Sequence, residues 1–371
     1  MTTRRHLPLF GRLDRQTAML FIASFATAML LVVGLFWILE LAGKIDNFLE
    51  DGEDGGAVAS GLIVKYFLFH LPGVFLQVAP FVTLLAGMFT LNQLLKKNEV
   101  IAVLAAGISV HRMLLPVFMA GLFVGLLMFV SRELITEYIA EPREALLAKL
   151  NEGQDRPVYS DLWLNDLAGS HVRMGTFAPK HDGQPAVITS FEASLESSMG
   201  YVQITAPSAT WTGDHWQLEN GIQRMMRHRE EDRSEKAIDR LVGFEFTPRD
   251  ALTAKRARDN PLELSFEEVL SIMSRDPDDV VYQTLLQYHL TFPLANLVLL
   301  LIGLPVALTH ERGRGAERMA IGGMLCIVYF AVDFLFRSLG IEGTLSPVLA
   351  SWLPVLIFGS FGVVMADGMK T

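Results

Sequence analysis

The chain has 371 residues, 51% of them hydrophobic and 19% charged, and a mean hydropathy of +0.35. That composition excludes a disordered chain, which lacks the apolar residues for a core, and the single cysteine, Cys326, excludes an intrachain disulfide framework. A formal net charge of −9 argues against a nucleic-acid binder, whose phosphate contacts need a basic face.

In chain order, a basic tail with Arg4, Arg5, Arg12 and Arg15 precedes an apolar run at Ala18–Leu41. A bilayer core needs about 20 apolar residues in a helix, and this run is too long, and lacks a small-residue cleavage site, for a signal peptide. The loop after it holds Lys44 and an acidic string, "DNFLEDGEDGG". A second span at Leu62–Leu95 is interrupted by Pro72 and Pro80. The stretch that follows, "KKNEVIAVLAAGISVHRM", spaces Val100, Ile101, Val103, Leu104 and Ile108 as in a helix. Glu99 suits its N-terminus and Gly107 its C-terminal cap. Such an amphipathic helix lies on lipid or docks in a partner's groove, and the residues alone leave both readings open. A third span covers Met113–Val130, with Arg132 just beyond it.

From 132 to 283 the character changes. This stretch holds 17 basic and 27 acidic residues, net −10, which leaves 14 basic and 13 acidic residues for both flanks. Glu133–Leu150 looks helical apart from Pro142. Between Val158 and Phe246, alternating runs such as "HVRMGTF", "PAVITSFEA", "GYVQITAPSATWT" and "HWQLENGIQRMM", with turns at "KHDGQ" and "TGDHW", predict short β-strands in a sandwich or jelly roll. An edge strand of such a domain is able to pair with a partner's strand. "SFEEVLSIMS" opens with a Ser265-x-x-Glu268 capping box and predicts a short helix.

Three more spans follow, at Leu285–Leu308, Ala320–Leu339 and Val348–Met365. Asp333 and Arg337 lie four apart in the fifth, on one helix face. They read either as a polar patch lining a substrate cavity or as an ion pair that orients the helix. Glu40, His70 and His289 near span ends read as interfacial groups. The expected architecture is therefore an α-helical integral membrane protein of six helices, 3+3, with an inserted all-β jelly-roll-like domain. Its domains are 1–131, 132–283 and 284–371.

Basic residues in short loops set orientation. Eleven lie on one side: Arg4, Arg5, Arg12, Arg15, Lys96, Lys97, Arg112, Arg312, Arg314, Arg318 and Lys370; the other side's short loops have Lys44 alone. Both termini are expected in the cytoplasm and the middle domain outside it. The chain has no G-x-x-x-x-G-K-[ST], no H-E-x-x-H and no G-x-S-x-G, and its nine histidines lack zinc-ligand spacing. No enzyme activity, cofactor or metal is expected, and uphill transport would need a partner or an ion gradient. A receptor or scaffold using the external domain is the alternative, though six spans exceed what an anchor needs. An intramembrane hydrolase built on His70 or His289 lacks a nucleophile.

Several strings together resemble the LptF/LptG family, the membrane subunits of the lipopolysaccharide-exporting ABC transporter. They are "LDR" at 13–15, "NEVIAVLAAGIS" at 98–109, "YHLTFPLANLVLLLIGLPVAL" at 288–308, "YFAVDFLFRSLG" at 329–340 and "LASWLPVLIFGSFG" at 349–362. "LWLNDLAGSHVRMGTF" and "HWQLENG" extend the likeness into the middle domain, so it covers essentially the whole chain. The pattern of Tyr329 and Asp333 leans toward LptG. The resemblance implies a bacterial inner-membrane permease subunit, paired with a second LptF/LptG-like subunit and driven by a cytoplasmic LptB-like ATPase dimer. The ATPase would dock on Lys97, Glu99, Val100, Val103, Leu104, Ala106 and Gly107, which decides the earlier choice in favour of docking. It further implies lateral entry of lipopolysaccharide through gates between spans one and five of opposite subunits, and a periplasmic bridge of LptC/LptA-like jelly rolls. The outer end of span one departs from the family, which often has basic residues there. Here it carries Glu40, with Lys44 as the nearby cation, so Arg132 and Arg337 become the expected phosphate partners beside Asp333.

Overall fold

The computed structural model describes residues 11–50, 56–139, 142–143, 146, 156–165, 170–181, 183–197, 200–226, 233–309 and 315–369. They fall into two compact units. One comprises the described residues of Met1–Ile45, His70–Ile135 and Gln283–Thr371, the other those of Asp46–Phe69 and Thr136–Tyr282.

The first unit is helical. It holds α1 (Arg12–Glu50) as far as Ile45, α2 (Gly56–Lys96) from His70, α3 (Glu99–Ala105) and α4 (Val110–Leu134), then α7 (Val280–Thr291) from Gln283, α8 (Ala295–Thr309), α9 (Gly315–Ile341) and α10 (Pro347–Asp367). Six segments are long and apolar enough to cross a membrane: Arg12–Gly43, Val64–Lys96, Val110–Leu134, Val280–Leu308, Glu317–Ile341 and Pro347–Asp367. Each contains one of the apolar runs described above, apart from the first residues of the second. The fourth differs from an unbroken span. A 3-10 turn, Phe292–Leu294, separates α7 from α8, because Pro293 has no N–H to offer the helix ladder. Asn296 Nδ2 donates to the Pro293 carbonyl at 3.0 Å.

Lipid tails are as apolar as leucine, so helices in a bilayer are held by close packing rather than by escape from water. Glycines supply the closeness here. A Cβ on Gly125 of α4 would lie 2.7 Å from the Pro293 carbonyl oxygen, and one on Gly303 of α8 would lie 2.3 Å from Leu84 of α2. Leu84, Leu91, Met113, Val117, Leu300 and Leu304 anchor the resulting core.

The second unit holds an antiparallel sheet of six strands in chain order: β1 (Tyr159–Asn165), β2 (His171–Ala178), β3 (Val187–Ser197), β4 (Gly200–Trp211), β5 (Trp216–Met226) and β6 (Arg233–Arg240). The four quoted strand strings correspond to β2 through β5, while β1 and β6 lie in the same window. All neighbours are sequential, so the described strands form an up-and-down array; no crossover of the jelly-roll kind occurs among them. The all-β insertion expected from the alternation is thus present as one sheet.

One irregularity crosses five of these strands. Strict alternation would bury every second residue, yet the inward positions Met174 and Phe177, Ile188 and Phe191, Ala206 and Ala209, and Leu218 and Gly221 are three apart. Tyr159 and Leu162 repeat the step in β1. Asp161, Ser190 and Asn220 take positive φ of 51°, 52° and 50° at this level, with Gly175 and Pro207 on the strands between. Because β1 through β5 each carry the extra residue, their register is constant on both sides; β6 does not, and the register against β5 shifts between Gln217 and Gly221.

Two helices cover the β1 side. α5 (Pro248–Asp259) starts at a Thr247 N-cap with a reciprocal Asp250 bond, Thr247 N donating to Asp250 Oδ2 at 2.7 Å. α6 (Phe266–Arg275) starts at the Ser265–Glu268 box read from the sequence, with both bonds at 3.1 Å. Ion pairs Arg256–Glu268 and Arg275–Asp250 tie the two together. Arg156 closes the β2–β3 turn by donating to the carbonyls of Ala178, Pro179 and Pro185, and its partial burial pulls its pKa below the usual guanidinium value. Of the helix expected over Glu133–Leu150, the described residues are helical: Glu133 and Leu134 end α4, Ile135–Ile139 form a π-helical turn, and Pro142, Arg143 and Leu146 are α-helical; the remaining residues lie outside the described ones.

Candidate functional site

The helical unit carries two groupings of the residues singled out above, and the β unit carries a third feature at its sheet edges.

The first grouping is α3. Asn98 before it has φ 55° and Gly107 after it φ 74°, so a left-handed residue flanks each end and isolates a short helix from α2 and α4. Glycine adopts such a φ without cost, and asparagine does so more readily than most residues. Val100 and Val103 are buried in the unit's own core, with Leu104 half-buried against it. Those three therefore seat the helix and do not face outward. Ile101, Ala102, Ala105 and Ala106 form the exposed side, with Lys97 and Gly107 exposed at its ends. Of the seven residues expected at the ATPase, Val100, Val103 and Leu104 pack inward, while Ile101, Ala102 and Ala105, which were not among them, are exposed; the four-residue step from Ile101 to Ala105 was the available signal. Glu99 is half-buried and accepts a hydrogen bond from Gln16 Nε2 of α1 at 3.1 Å.

The second grouping joins α4, α7 and α9. Arg337 Cζ lies 4.4 Å from the Tyr288 ring centre and Arg132 Cζ lies 6.0 Å from it. Arg132 also stands 5.5 Å from the Phe292 ring and Arg337 5.8 Å from Phe334. Asp333 pairs with Arg337 at 3.8 Å across one helical turn. Thus Arg132 of α4 meets the Asp333–Arg337 pair of α9 at one site, whose unforeseen member is buried Tyr288. Guanidinium–ring contacts away from water are worth about 2 kcal/mol, which helps hold two like charges on one ring. Glu133 adds a second carboxylate beside Arg132, so the two guanidiniums face two carboxylates; guanidinium forks suit phosphate oxygens.

Lys44 belongs to α1, but its side chain lies outside the described residues. At the neighbouring turn Glu40 faces His70 Nε2 at 3.7 Å, and His70 stacks on Phe36. His289 bonds within its own helix, Nδ1 to the Leu285 carbonyl at 2.6 Å. Among the described residues no cluster of His, Cys, Asp or Glu is arranged to hold a metal ion.

The sheet edges differ. Arg258 Nη1 donates to the carbonyls of Ser160 at 3.1 Å and Asp161 at 2.8 Å, and Arg275 Nη1 reaches that of Asn165 at 3.4 Å. Side chains thus occupy carbonyls along β1. At the opposite edge β6 pairs with β5, while Glu235, Lys236, Ala237 and Asp239 are exposed.

With this geometry in hand, the comparisons are brief. The family model for the lipopolysaccharide export system permease LptF/LptG matches residues 15–367, nearly the whole chain. The search of curated proteins gave no match.

Proposed function

Because the chain belongs to the LptF/LptG family of lipopolysaccharide export permeases, we propose that it is a non-catalytic subunit of an ABC exporter in the bacterial inner membrane. It draws lipopolysaccharide from the outer leaflet and passes it to a periplasmic bridge, while a partner ATPase dimer supplies the energy. The family match over nearly the whole chain carries this reading. Both termini lie in the cytoplasm, and the region 132–283 stands in the periplasm between the membrane regions 1–131 and 284–371. The basic residues gathered on one side support that orientation.

The ATPase docks on α3 through Ile101, Ala102, Ala105 and Ala106, with Lys97, Glu99 and Gly107 at the margins. Arg132 and Arg337 receive lipid phosphate near the outer ends of their spans, with Tyr288 holding them in place and Asp333 setting Arg337. Lateral gates form between α1 of one subunit and α9 of a second LptF/LptG-like subunit. The apolar residues both helices leave exposed favour this, among them Leu30, Leu35 and Ile38 on α1 and Met324, Ile327 and Phe334 on α9. An LptC/LptA-like sheet adds to β6, since the β1 carbonyls are already engaged. The Tyr329–Asp333 pattern makes the chain the LptG-like member of its pair.

The test is ATP hydrolysis by the purified complex in proteoliposomes with and without lipopolysaccharide. The parent is expected to be stimulated by the lipid. Ile101→Glu is expected to lose the ATPase on purification, and Arg132→Ala with Arg337→Ala to keep the ATPase but lose the stimulation. An unstimulated parent complex refutes the exporter reading; undiminished ATPase recovery with Ile101→Glu refutes the docking face.

A further inference from the structure

The "LDR" string that opens α1 has a structural role that neither docking nor phosphate capture uses. Arg112, in the first turn of α4, gives Nη1 to Asp14 Oδ1 at 2.7 Å and Nη2 to Asp14 Oδ2 at 2.8 Å. The Gly11 N–H adds a bond to Oδ2 at 2.9 Å. Asp14 is 6% exposed. One half-turn further along α1, Gln16 holds Glu99. Glu99 is the first residue of α3 and Arg112 lies shortly after its last, so the two contacts bracket the short helix.

The rest of α1 is held differently. It buries a narrow stripe of Thr17, Phe21, Ser24 and Ala28, and the Thr17 and Ser24 hydroxyls have no partner among the described residues. The stripe runs on to Val33, and further along Phe36 and Glu40 meet His70 of α2, while Leu30, Leu31, Leu35 and Ile38 are exposed. The two polar contacts at its first turn join α1 directly to the start of α3 and to α4, so a movement of α3 acts on that turn. A bidentate guanidinium–carboxylate pair fixes orientation as well as distance, and burial shields it from salt. Coupling between distant sites needs such a physically continuous element that moves as a piece.

We infer that the first turn of α1 is the joint through which movement of α3 is delivered to span one, with Asp14, Gln16 and Arg112 as positioning residues. This rests on the reading of α3 as the ATPase-docking helix. It gives a ligand-driven shift in α3 a route to α1 that does not pass through the centre of the bundle. Side chains that touch neither ATP nor lipid then control how much transport each hydrolysed ATP delivers.

The experiment uses the complex purified with its ATPase, reconstituted with lipopolysaccharide, and measures ATPase recovery, ATP hydrolysis and lipid released per ATP. Asp14→Asn keeps the side-chain shape and removes the charge. It is expected to retain ATPase recovery and basal hydrolysis while lipid released per ATP falls by about tenfold, the scale of common coupling free energies. Gln16→Ala is expected to give a smaller fall in the same quantity. Asp14→Arg combined with Arg112→Asp restores the pair in reverse and is expected to recover part of the loss, which a fold defect would not do. Parental release per ATP in Asp14→Asn overturns the inference, as does a reversed pair no better than Asp14→Asn. Loss of the docking reading has a different signature: Glu99→Lys and Ile101→Glu would then retain the ATPase in full, and the joint would fall with it.

Discussion

Ser190 holds φ 52° in the middle of β3, where a β-region φ is the rule. A left-handed conformation costs a non-glycine residue about 1–2 kcal/mol. The strand accepts this because the extra residue keeps Ile188 and Phe191 on the same inner face. Gly175 on β2 completes the arrangement: a Cβ there would meet the Ser190 Cβ at 2.7 Å and the Thr189 carbonyl at 3.1 Å. Ser190→Gly is therefore expected to preserve or slightly raise the stability of the β unit. Ser190→Val, β-branched and left-handed, is expected to lower it by about 2 kcal/mol relative to the glycine variant. Thermal unfolding followed by proteolysis within 200–226 of the solubilised chain measures both, and equal midpoints would contradict the argument. The three-residue step was visible in "HVRMGTF" as Val172, Met174 and Phe177, but only alignment of neighbouring strands shows that the steps coincide. The Ser265–Glu268 box and the Asp333–Arg337 pair were legible because each is a local spacing rule. The place of Tyr288 between Arg132 and Arg337 was not, since it depends on three helices meeting.

Among elements, the spans were the easiest to read, because length and apolarity alone define them. The break between α7 and α8 was written as Pro293 but hidden by the apolar residues around it. α5 was missed because its charged sequence has no apolar run, although Thr247, Pro248 and Asp250 form a helix-start signature. The break sets the tolerance of α4. A methyl on Gly125 would meet a backbone carbonyl at Pro293, which cannot rotate away; a methyl on Gly303 would meet the flexible end of Leu84. Gly125→Ala is accordingly expected to cost about 1–3 kcal/mol, as overpacking usually does, and Gly303→Ala clearly less. Thermal midpoints of the two variants in the same detergent rank them, and a more damaging Gly303→Ala would show that α4 does not rest on the break as described.

For the molecule as a whole, the uneven placement of charge is the governing fact, and it has a consequence for every surface residue. Moving a segment with 17 basic and 27 acidic residues across a bilayer is possible only as a translocated domain, while the basic ends of the spans resist translocation. The parent's single cysteine, Cys326, is buried, so introduced thiols can be read against a quiet background. Lys236→Cys on β6 is expected to react with a membrane-impermeant maleimide in intact spheroplasts, whereas Ala105→Cys on α3 reacts only after lysis. Trp163→Cys on β1 shares the first behaviour and separates orientation from partner binding. On the proposed reading, adding a partner's jelly-roll sheet is expected to protect position 236 at least severalfold while leaving position 163 reactive, because Arg258 and Arg275 already occupy carbonyls along β1. Labelling of position 105 without lysis would invert the membrane orientation. Protection of position 163 in place of 236 would move the bridge to the other edge of the sheet.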